Sequence, residues 1–305
     1  MVRPAGFHSN PVAARSNNFM QSPDLTRDEE QAAAEREFDG LVAALEDSGI
    51  RVIVVNDTLD PETPDAIFPN NWISTHADGT VVTYPMQVEN RRPERRQDIV
   101  DTLAAEHGFR VTDVIDLSGH EAKEQYLEGT GSLVLDRRNA IAYACLSPRT
   151  SLEVLADFAQ RLDYEVVAFE AADGDGVAIY HTNVMMNVGE DFAVVCLESI
   201  AQPEQRSAVR HSLESTGHEI IEITLAQMQS MAGNMLEVRS ADGGRRLAMS
   251  AQARDSLTDE QLKKLEARTT IVSAPIERIE SSAGGSVRCV LAEVHLPVQD
   301  AQQNL

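Results

Sequence analysis

The sequence predicts a single α/β domain, residues 1–305, built from five ββαβ units around one axis as a pseudo-symmetric, five-bladed α/β propeller. Pairs of short apolar strands recur roughly every 50 to 60 residues. Each pair is followed by an amphipathic helix and a further strand. One unit is too small to bury its own sheet, so the units must pack on one another. The first strands of the pairs begin near Asn71, Gly131, Asn183, Asn234 and Arg288.

The first complete unit shows the pattern most clearly. Residues 70–86 form a hairpin around Asp78 and Gly79, and residues 92–108 place apolar side chains at helical spacing. The same succession of hairpin, helix and strand is expected over residues 131–171, 183–223 and 233–275.

The fifth unit is expected to join the two ends of the chain. A strand from Val287 to Val294 begins it, and the N-terminal residues, a helix over 26–49 and a strand over 51–56 complete it. The alternative fold is a doubly wound open sheet. Frequent hairpins favour antiparallel or mixed pairing over that alternative.

The composition points to an acidic enzyme with a small substrate. A net charge of −23 disfavours nucleic acid and anionic membranes as partners. No apolar run reaches the ~18 residues that span a bilayer, and the N-terminus does not read as a secretory signal. Three cysteines without metal-like spacing favour a reducing cytoplasm. We expect no metal or cofactor, and homo-oligomerisation is left open.

Cys289 is the cysteine whose context suggests a nucleophile. The preceding glycines at 284–285 bring backbone N–H groups close to the thiol, and Arg288 adds positive potential, so both favour a thiolate. Cys145 and Cys196 lie inside apolar strands and are expected to pack in the core. A nucleophilic thiolate also needs a proton partner, usually His, and a group that orients that His.

His181 and Glu128 are the expected partners of Cys289. Each has an ordinary structural explanation when taken alone, because a lone His is often structural and an acid before Gly-Thr-Gly is typical of a turn. Both, however, stand at unit boundaries that correspond to that of Cys289. Equivalent positions of a propeller converge on its axis, so the sequence predicts that these three side chains meet there.

The motifs resemble those of the guanidino-group-modifying superfamily, the penteins, which includes arginine deiminases, dimethylarginine dimethylaminohydrolases and amidinotransferases. The Gly-Gly turn before Cys289 resembles its nucleophile motif, "YHTN" its His motif, and "EGTG" its Glu-Gly-Gly-Asp motif. The resemblance extends at least from Asp65 to Pro297. It implies the propeller fold, a Cys289 nucleophile, a proton-transferring His181 and an orienting Glu128.

The same resemblance implies residues that hold an amino-acid substrate. "PDAIFPNNW" places Asp65 on the α-ammonium group and Phe68 on the aliphatic stem. "NRRPERR" and "SPRTS" place Arg91 and Arg149 on the α-carboxylate, for which the forked guanidinium suits bidentate binding. Without the family, both arginines would be expected to be solvated surface charges.

The departures from the family pattern concern the pocket for the guanidinium. Asn70 and Asn71 stand where an acidic pair is expected, Gly131 replaces an Asp, and Asn183 replaces the acid two residues after the His. A buried carboxylate is costly without a cation, whereas an amide can serve a neutral ureido group as donor and acceptor.

The main prediction is therefore a hydrolase that converts L-citrulline to L-ornithine, carbon dioxide and ammonia through an S-carbamoyl enzyme. It is closest to the branch of citrulline-utilisation hydrolases, which "FPNNW" resembles. The alternatives are an arginine dihydrolase, an arginine deiminase or a dimethylarginine dimethylaminohydrolase-like enzyme, all of which cleave a guanidino group. An amidinotransferase and a non-catalytic propeller that binds a partner also remain open.

Overall fold

Five small, separate sheets contain the strands of residues 1–21 and 25–299, which are the residues that the computed structural model describes. Separate sheets replace the single continuous sheet of a doubly wound fold. Residues 300–305 of the expected domain lie outside the described part. The strands are, in chain order, β1 Val2–Arg3, β2 Val55–Asn56, β3 Ile73–Thr75, β4 Thr80–Thr83, β5 Asp113–Asp116, β6 Val134–Asp136, β7 Ile141–Cys145, β8 Glu165–Phe169, β9 Met186–Val188, β10 Phe192–Val195, β11 Glu219–Glu222, β12 Leu236–Arg239, β13 Arg245–Ser250 and β14 Thr270–Ala274.

Four of these sheets share one connectivity. The middle strand pairs antiparallel with the strand before it and parallel with the strand after it, as in β3-β4-β5, β6-β7-β8, β9-β10-β11 and β12-β13-β14. An antiparallel pair needs only a short turn, whereas the parallel step needs a crossover, which a helix supplies. This is the predicted ββαβ unit.

The crossover helices have the predicted amphipathic character. In Leu152–Leu162 the buried side chains are those of Val154, Leu155 and Phe158, which lie on one face. None of the described helices is both long enough and apolar enough to span a bilayer. The helices are α1 Arg27–Asp47, α2 Gln97–Ala105, α3 Gly129–Ser132, α4 Leu152–Leu162, α5 Thr182–Met185, α6 Pro203–Ser215, α7 Leu225–Gln229, α8 Ala251–Ser256, α9 Asp259–Glu266, α10 Glu277–Ala283 and α11 Val287–Val290.

The remaining sheet joins strands β1 and β2, which pair in parallel on either side of α1. The strand expected over 51–56 is confined to its last two residues. The expected strand from Val287 to Val294 is wrong. Its first half is the one-turn helix α11, and its second half has no strand assignment. The hydroxyl of Thr75 donates to the Glu293 carbonyl and accepts from the His295 N–H. In this segment the Thr75 side chain thus makes hydrogen bonds that the backbone of a neighbouring strand would make in a sheet.

Short helical turns, rather than strands, carry the residues at the start of each unit. Asn71 ends the 3₁₀ helix Pro69–Asn71, Gly131 lies in α3, and Asn183 lies in α5. The prediction that first strands begin at these residues is wrong by two to three positions, because a helical turn precedes each strand. Helix α3 contacts α5 and the 3₁₀ helix, and α11 contacts the 3₁₀ helix. These contacts bring the start of several units to one place.

Candidate active site

The sulfur of Cys289 lies between two amide groups. The Nδ2 atoms of Asn183 and Asn234 are both 3.3 Å from Sγ and donate to it. The Cys289 residue is only 3% exposed. Burial raises the pKa of the Cys145 thiol to about 12 and that of the Cys196 thiol to about 11, so both stay protonated near neutral pH. The sulfur of Cys145, by contrast with that of Cys289, contacts the Thr182 hydroxyl and the Ile179 carbonyl.

The glycines before Cys289 are required by close packing. Gly284 ends α10 with a φ of +66°, in the left-handed region that favours glycine. A Cβ on Gly284 would lie 2.7 Å from the side chain of Asn17, and a Cβ on Gly285 would lie 2.9 Å from Phe68 Cζ. The glycine turn is therefore enclosed by the segments that carry Asn17 and Phe68.

His181 and Glu128 form a buried hydrogen-bonded pair. His181 Nε2 is 2.8 Å from Glu128 Oε2, and the Arg149 guanidinium lies 3.3 Å from the same oxygen. Burial opposes ionisation of Glu128, but Arg149 and His181 outweigh it and hold the pKa of this carboxyl well below its usual range. Burial lowers the pKa of His181 to about 4.

The lowered pKa of the carboxyl and the lowered pKa of the imidazole both favour an ionised Glu128 beside a neutral His181. An ionised carboxylate only accepts hydrogen bonds, so Nε2 of a neutral His181 carries the proton that Glu128 accepts. The other ring nitrogen, Nδ1, is then free to accept a proton. Nδ1 faces Gly131, whose Cβ, if present, would lie 2.7 Å away.

Arg91 is buried and already paired with an internal carboxylate. Its Nε and one terminal nitrogen each donate to an oxygen of Glu94 at 2.9 Å, and its other terminal nitrogen donates to Asn71 Oδ1 at 3.0 Å. Asp65 Oδ2 lies 3.7 Å from Arg91 Nε and accepts from Asn10 at 2.7 Å. Burial alone would raise the pKa of Glu94, and despite Arg91 that pKa remains raised, to about 7.

Arg149 is held by the N-terminal segment. Ser16 Oγ accepts from two of its nitrogens, at 3.1 and 2.8 Å, and the Ala13 carbonyl accepts at 3.1 Å. The guanidinium also lies over the ring of Tyr180, 5.0 Å from its centroid. Asn17 extends this cover by donating to the Ala283 carbonyl at 3.0 Å.

Most of the expected site residues line one small cavity of about 10 Å³, which has room for about one water molecule. The sequence-derived members of its lining are Asp65, Phe68, Asn71, Arg91, Arg149, His181 and Cys289. The other three lie behind the lining: Glu128 behind His181, and Asn183 against the sulfur. Asn70 accepts from Asn71 at 3.1 Å, and its own Nδ2 is buried without a protein partner in the described residues.

Several residues at the site were not among the expected ones. Asn234 contacts the nucleophile, Tyr180 lines the cavity, and Glu94 occupies Arg91. Asn234 could have been found, because it marks the start of a unit in the same way as Asn71 and Asn183. The N-terminal cover over residues 10–20 carried no comparable signal.

No cluster of three or more His, Cys, Asp or Glu side chains that could hold a metal ion occurs in the part of the chain that the structure describes. The groups available at the cavity are a thiol, an imidazole, amides, carboxylates and guanidiniums. They can supply nucleophilic attack, proton transfer and binding of a zwitterion.

Comparison with known families gives one match. Residues 3–296 match the family described as N,N dimethylarginine dimethylhydrolase, eukaryotic. A comparison with curated proteins gives no significant match.

Solved structures share the fold. The apo structure of ArgZ, an arginine dihydrolase from the ornithine-ammonia cycle in cyanobacteria, is 18% identical with a TM-score of 0.74 over 98% of this chain. This chain spans only 41% of that ArgZ chain, but 98% of an N-terminal-domain structure of ArgZ bound to product, with 19% identity over 97% of this chain and a TM-score of 0.73. A dimethylarginine dimethylaminohydrolase adduct with S-methyl-L-thiocitrulline is 13% identical, with a TM-score of 0.64 over 95% of this chain and 96% of that one.

Proposed function

We propose that this chain, which belongs to the N,N-dimethylarginine dimethylhydrolase family, hydrolyses the guanidino group of L-arginine or an N-methylated arginine with Cys289 as its nucleophile. The family consists of hydrolases that cleave amidine-type C–N bonds with a cysteine, so the chain is an enzyme of that class. The observation that carries the assignment of residues is one cavity lined by both Cys289 and His181, with Glu128 bonded behind the imidazole.

The proton path follows from the tautomer of His181. As Cys289 Sγ attacks the guanidino carbon, the thiol proton passes to His181 Nδ1. The C–N bond then breaks, and the departing amine takes that proton, which leaves a thiouronium ester on the sulfur. His181 next removes a proton from water as the water oxygen attacks the same carbon, and the C–S bond breaks with that proton returning to sulfur. The second proton of the water passes to the released amine, so the products are a neutral ureido group and a protonated amine. Glu128 stabilises the imidazolium in both halves of the cycle.

The amino-acid end of the substrate is proposed to bind between Arg149 and Asp65. Arg149 donates to the α-carboxylate in place of Ser16 Oγ and the Ala13 carbonyl. Both of these neutral oxygens now accept from its guanidinium nitrogens, which supports such an exchange. Asp65 takes the α-ammonium group, and Phe68 packs on the stem. The expected carboxylate role of Arg91 is less favoured, because both oxygens of Glu94 already occupy it.

The count of buried charges favours a guanidinium over a neutral ureido group. Three carboxylates, those of Asp65, Glu94 and Glu128, face two guanidiniums, those of Arg91 and Arg149. One buried negative charge is therefore left without a partner whenever Glu94 is ionised. Arginine carries a net charge of +1 and offsets it, whereas citrulline is neutral overall. The prediction of citrulline from the sequence considered only the acids absent from the expected guanidinium pocket. It did not include the excess of buried carboxylates over guanidiniums.

Citrulline remains the second candidate, on one specific observation. The groups that contact the sulfur are the amides of Asn183 and Asn234, and both Oδ1 atoms are buried without a protein partner in the described residues. Free acceptors beside the nucleophile suit the N–H groups of a urea as well as those of a guanidinium. An arginine dihydrolase would use both substrates in succession.

The proposal is tested with a substrate panel. Purified protein is incubated with L-arginine, asymmetric dimethylarginine and L-citrulline, and ammonia, methylamines, citrulline and ornithine are quantified. We expect the highest kcat/KM for a guanidino substrate and no turnover by Cys289→Ser, with Cys196→Ser as the matched control that stays active. A higher kcat/KM for citrulline selects the second candidate, and an active Cys289→Ser variant contradicts the mechanism.

We also propose that the five sheets close into the expected five-bladed ring. Contacts between consecutive sheets support it, since β6 meets β9, β9 meets β12, and α11 meets both β13 and the 3₁₀ helix before β3.

Three free, buried cysteines suit the reducing cytoplasm expected from the sequence.

A further inference from the structure

Tyr180 contacts three parts of the candidate site: the loop that leads to Cys289, the imidazole of His181 and the guanidinium of Arg149. It is 5% exposed and lines the cavity. Its hydroxyl lies 2.5 Å from the Gly284 carbonyl and donates to it, which ties it to the loop that leads to Cys289. Its ring lies 4.6 Å from the imidazole of His181, centroid to centroid, and under the guanidinium of Arg149.

The backbone of Tyr180 is itself fixed. Ser147 Oγ donates to the Tyr180 carbonyl at 2.7 Å, in the segment that also carries Arg149. The next residue, His181, is the N-cap of helix α5. The fixed backbone of Tyr180 therefore holds its hydroxyl against the Gly284 carbonyl and its ring against His181 and Arg149.

The bond to Gly284 acts where the loop is most sensitive. Gly284 has a left-handed backbone at the end of α10, and its peptide leads through Gly285 and Ser286 into the helix of Cys289. Rotation of the Gly284 peptide would change the direction in which that helix starts. Phe in place of Tyr180 would leave the carbonyl of this buried glycine without its donor.

From these contacts we propose that Tyr180 is a positioning residue, which holds the Cys289 loop in register with His181 and supports Arg149 through its ring. The inference rests on the proposed function, because register between thiol and imidazole matters only if both take part in the reaction. A displacement of about 1 Å between reacting groups can cost about 100-fold in rate. Loss of a cation–π contact costs about 0.5–2 kcal/mol and acts on substrate binding.

Two variants separate the positioning of the Cys289 loop from the support of Arg149. Tyr180→Phe keeps the ring and removes the hydroxyl, so we expect kcat to fall about 10- to 100-fold with KM within about threefold. Tyr180→Leu also removes the support of Arg149, so KM should rise as well. The matched control is Tyr143→Phe, because Tyr143 is fully buried and its hydroxyl lies 2.8 Å from Ser212 Oγ, outside the cavity.

The kinetic result is read beside the melting temperature. If Tyr180→Phe and Tyr143→Phe lose similar stability and both keep wild-type kcat, the hydroxyl only packs the core and the inference is overturned. Should Tyr180→Phe fail to fold, Ser147→Ala removes the donor to the Tyr180 carbonyl and also the acceptor of the Arg149 N–H, so kcat should fall and KM should rise together.

A second measurement separates this inference from the proposed function. Iodoacetamide alkylation of Cys289, followed by peptide mass, needs no substrate. Release of the loop should expose the sulfur and speed alkylation in Tyr180→Phe but not in Tyr143→Phe. Inactive wild-type protein with this difference in alkylation would refute the function alone, whereas active wild-type protein without it would refute the role of Tyr180 alone.

Discussion

Gly131 is the position at which the smallest change should damage the reaction most. A Cβ there would lie 2.7 Å from His181 Nδ1, 2.8 Å from His181 Cε1 and 2.6 Å from Asn71 Nδ2. Ordinary contact begins at 3.4 Å, so the imidazole must retreat by about 0.7 Å. His181 cannot retreat freely, because Glu128 holds its other nitrogen at 2.8 Å.

Gly131→Ala should therefore displace the proton-transferring nitrogen while the protein stays folded. Overpacking typically costs about 1–3 kcal/mol, whereas loss of general acid–base catalysis costs about 10²- to 10⁴-fold. We expect kcat to fall within that range in the ammonia-release assay. Gly119→Ala is the control, because a Cβ on Gly119 meets nothing within 4 Å. A kcat near wild type for Gly131→Ala would refute the role assigned to His181.

Three further predictions test separate parts of the account. Asn234→Ala removes one of two donors to the sulfur and should lower kcat about 10- to 100-fold, whereas Asn187→Ala, at a buried Asn bonded to the Gly233 carbonyl, should lower only the melting temperature. Burial raises the pKa of Glu280 to about 7, so the folded state keeps the carboxyl proton to a higher pH than the unfolded state does. The free energy of unfolding therefore falls as the pH rises from 4.5 to 7. In urea unfolding, Glu280→Gln should stabilise the protein by up to about 3 kcal/mol at pH 8.5 and hardly at all at pH 4.5. Glu94, whose pKa burial raises to about 7, should lift the arginine-to-citrulline ratio of kcat/KM between pH 6 and 8, and Glu94→Gln should flatten that dependence.

The repeat in the sequence predicted most of the fold because each unit carries its own pattern. Alternating strands and one-sided helices are local features, and four of the units show the expected pairing. The strand expected at Val287–Val294 failed because its apolar run does not reveal that α11 begins it or that the Thr75 hydroxyl bonds its backbone. The hydrogen bond between the Thr75 hydroxyl and the His295 N–H joins residues more than 200 positions apart in the chain.

The candidate site could be predicted as far as the motifs reached. Cys289 and His181 do line one cavity with Glu128 behind them, as equivalent positions of a repeat should. The pairing of Arg91 with Glu94 could not be foreseen, because "NRRPERR" offers four arginines of equal rank to its single acid. The cover by Ser16 depends on the path of a segment without periodicity.

The central claim is that Cys289 forms a bond to the guanidino carbon, and a quenched-reaction mass spectrum tests it most directly. The protein is mixed with excess L-arginine, quenched in acid within milliseconds to seconds, digested and analysed peptide by peptide. The account predicts a transient gain in mass equal to arginine less ammonia on the peptide that contains Cys289, and none on those with Cys145 or Cys196. Turnover without any adduct on Cys289, or an adduct on either of the other cysteines that appears and decays with turnover, would contradict it.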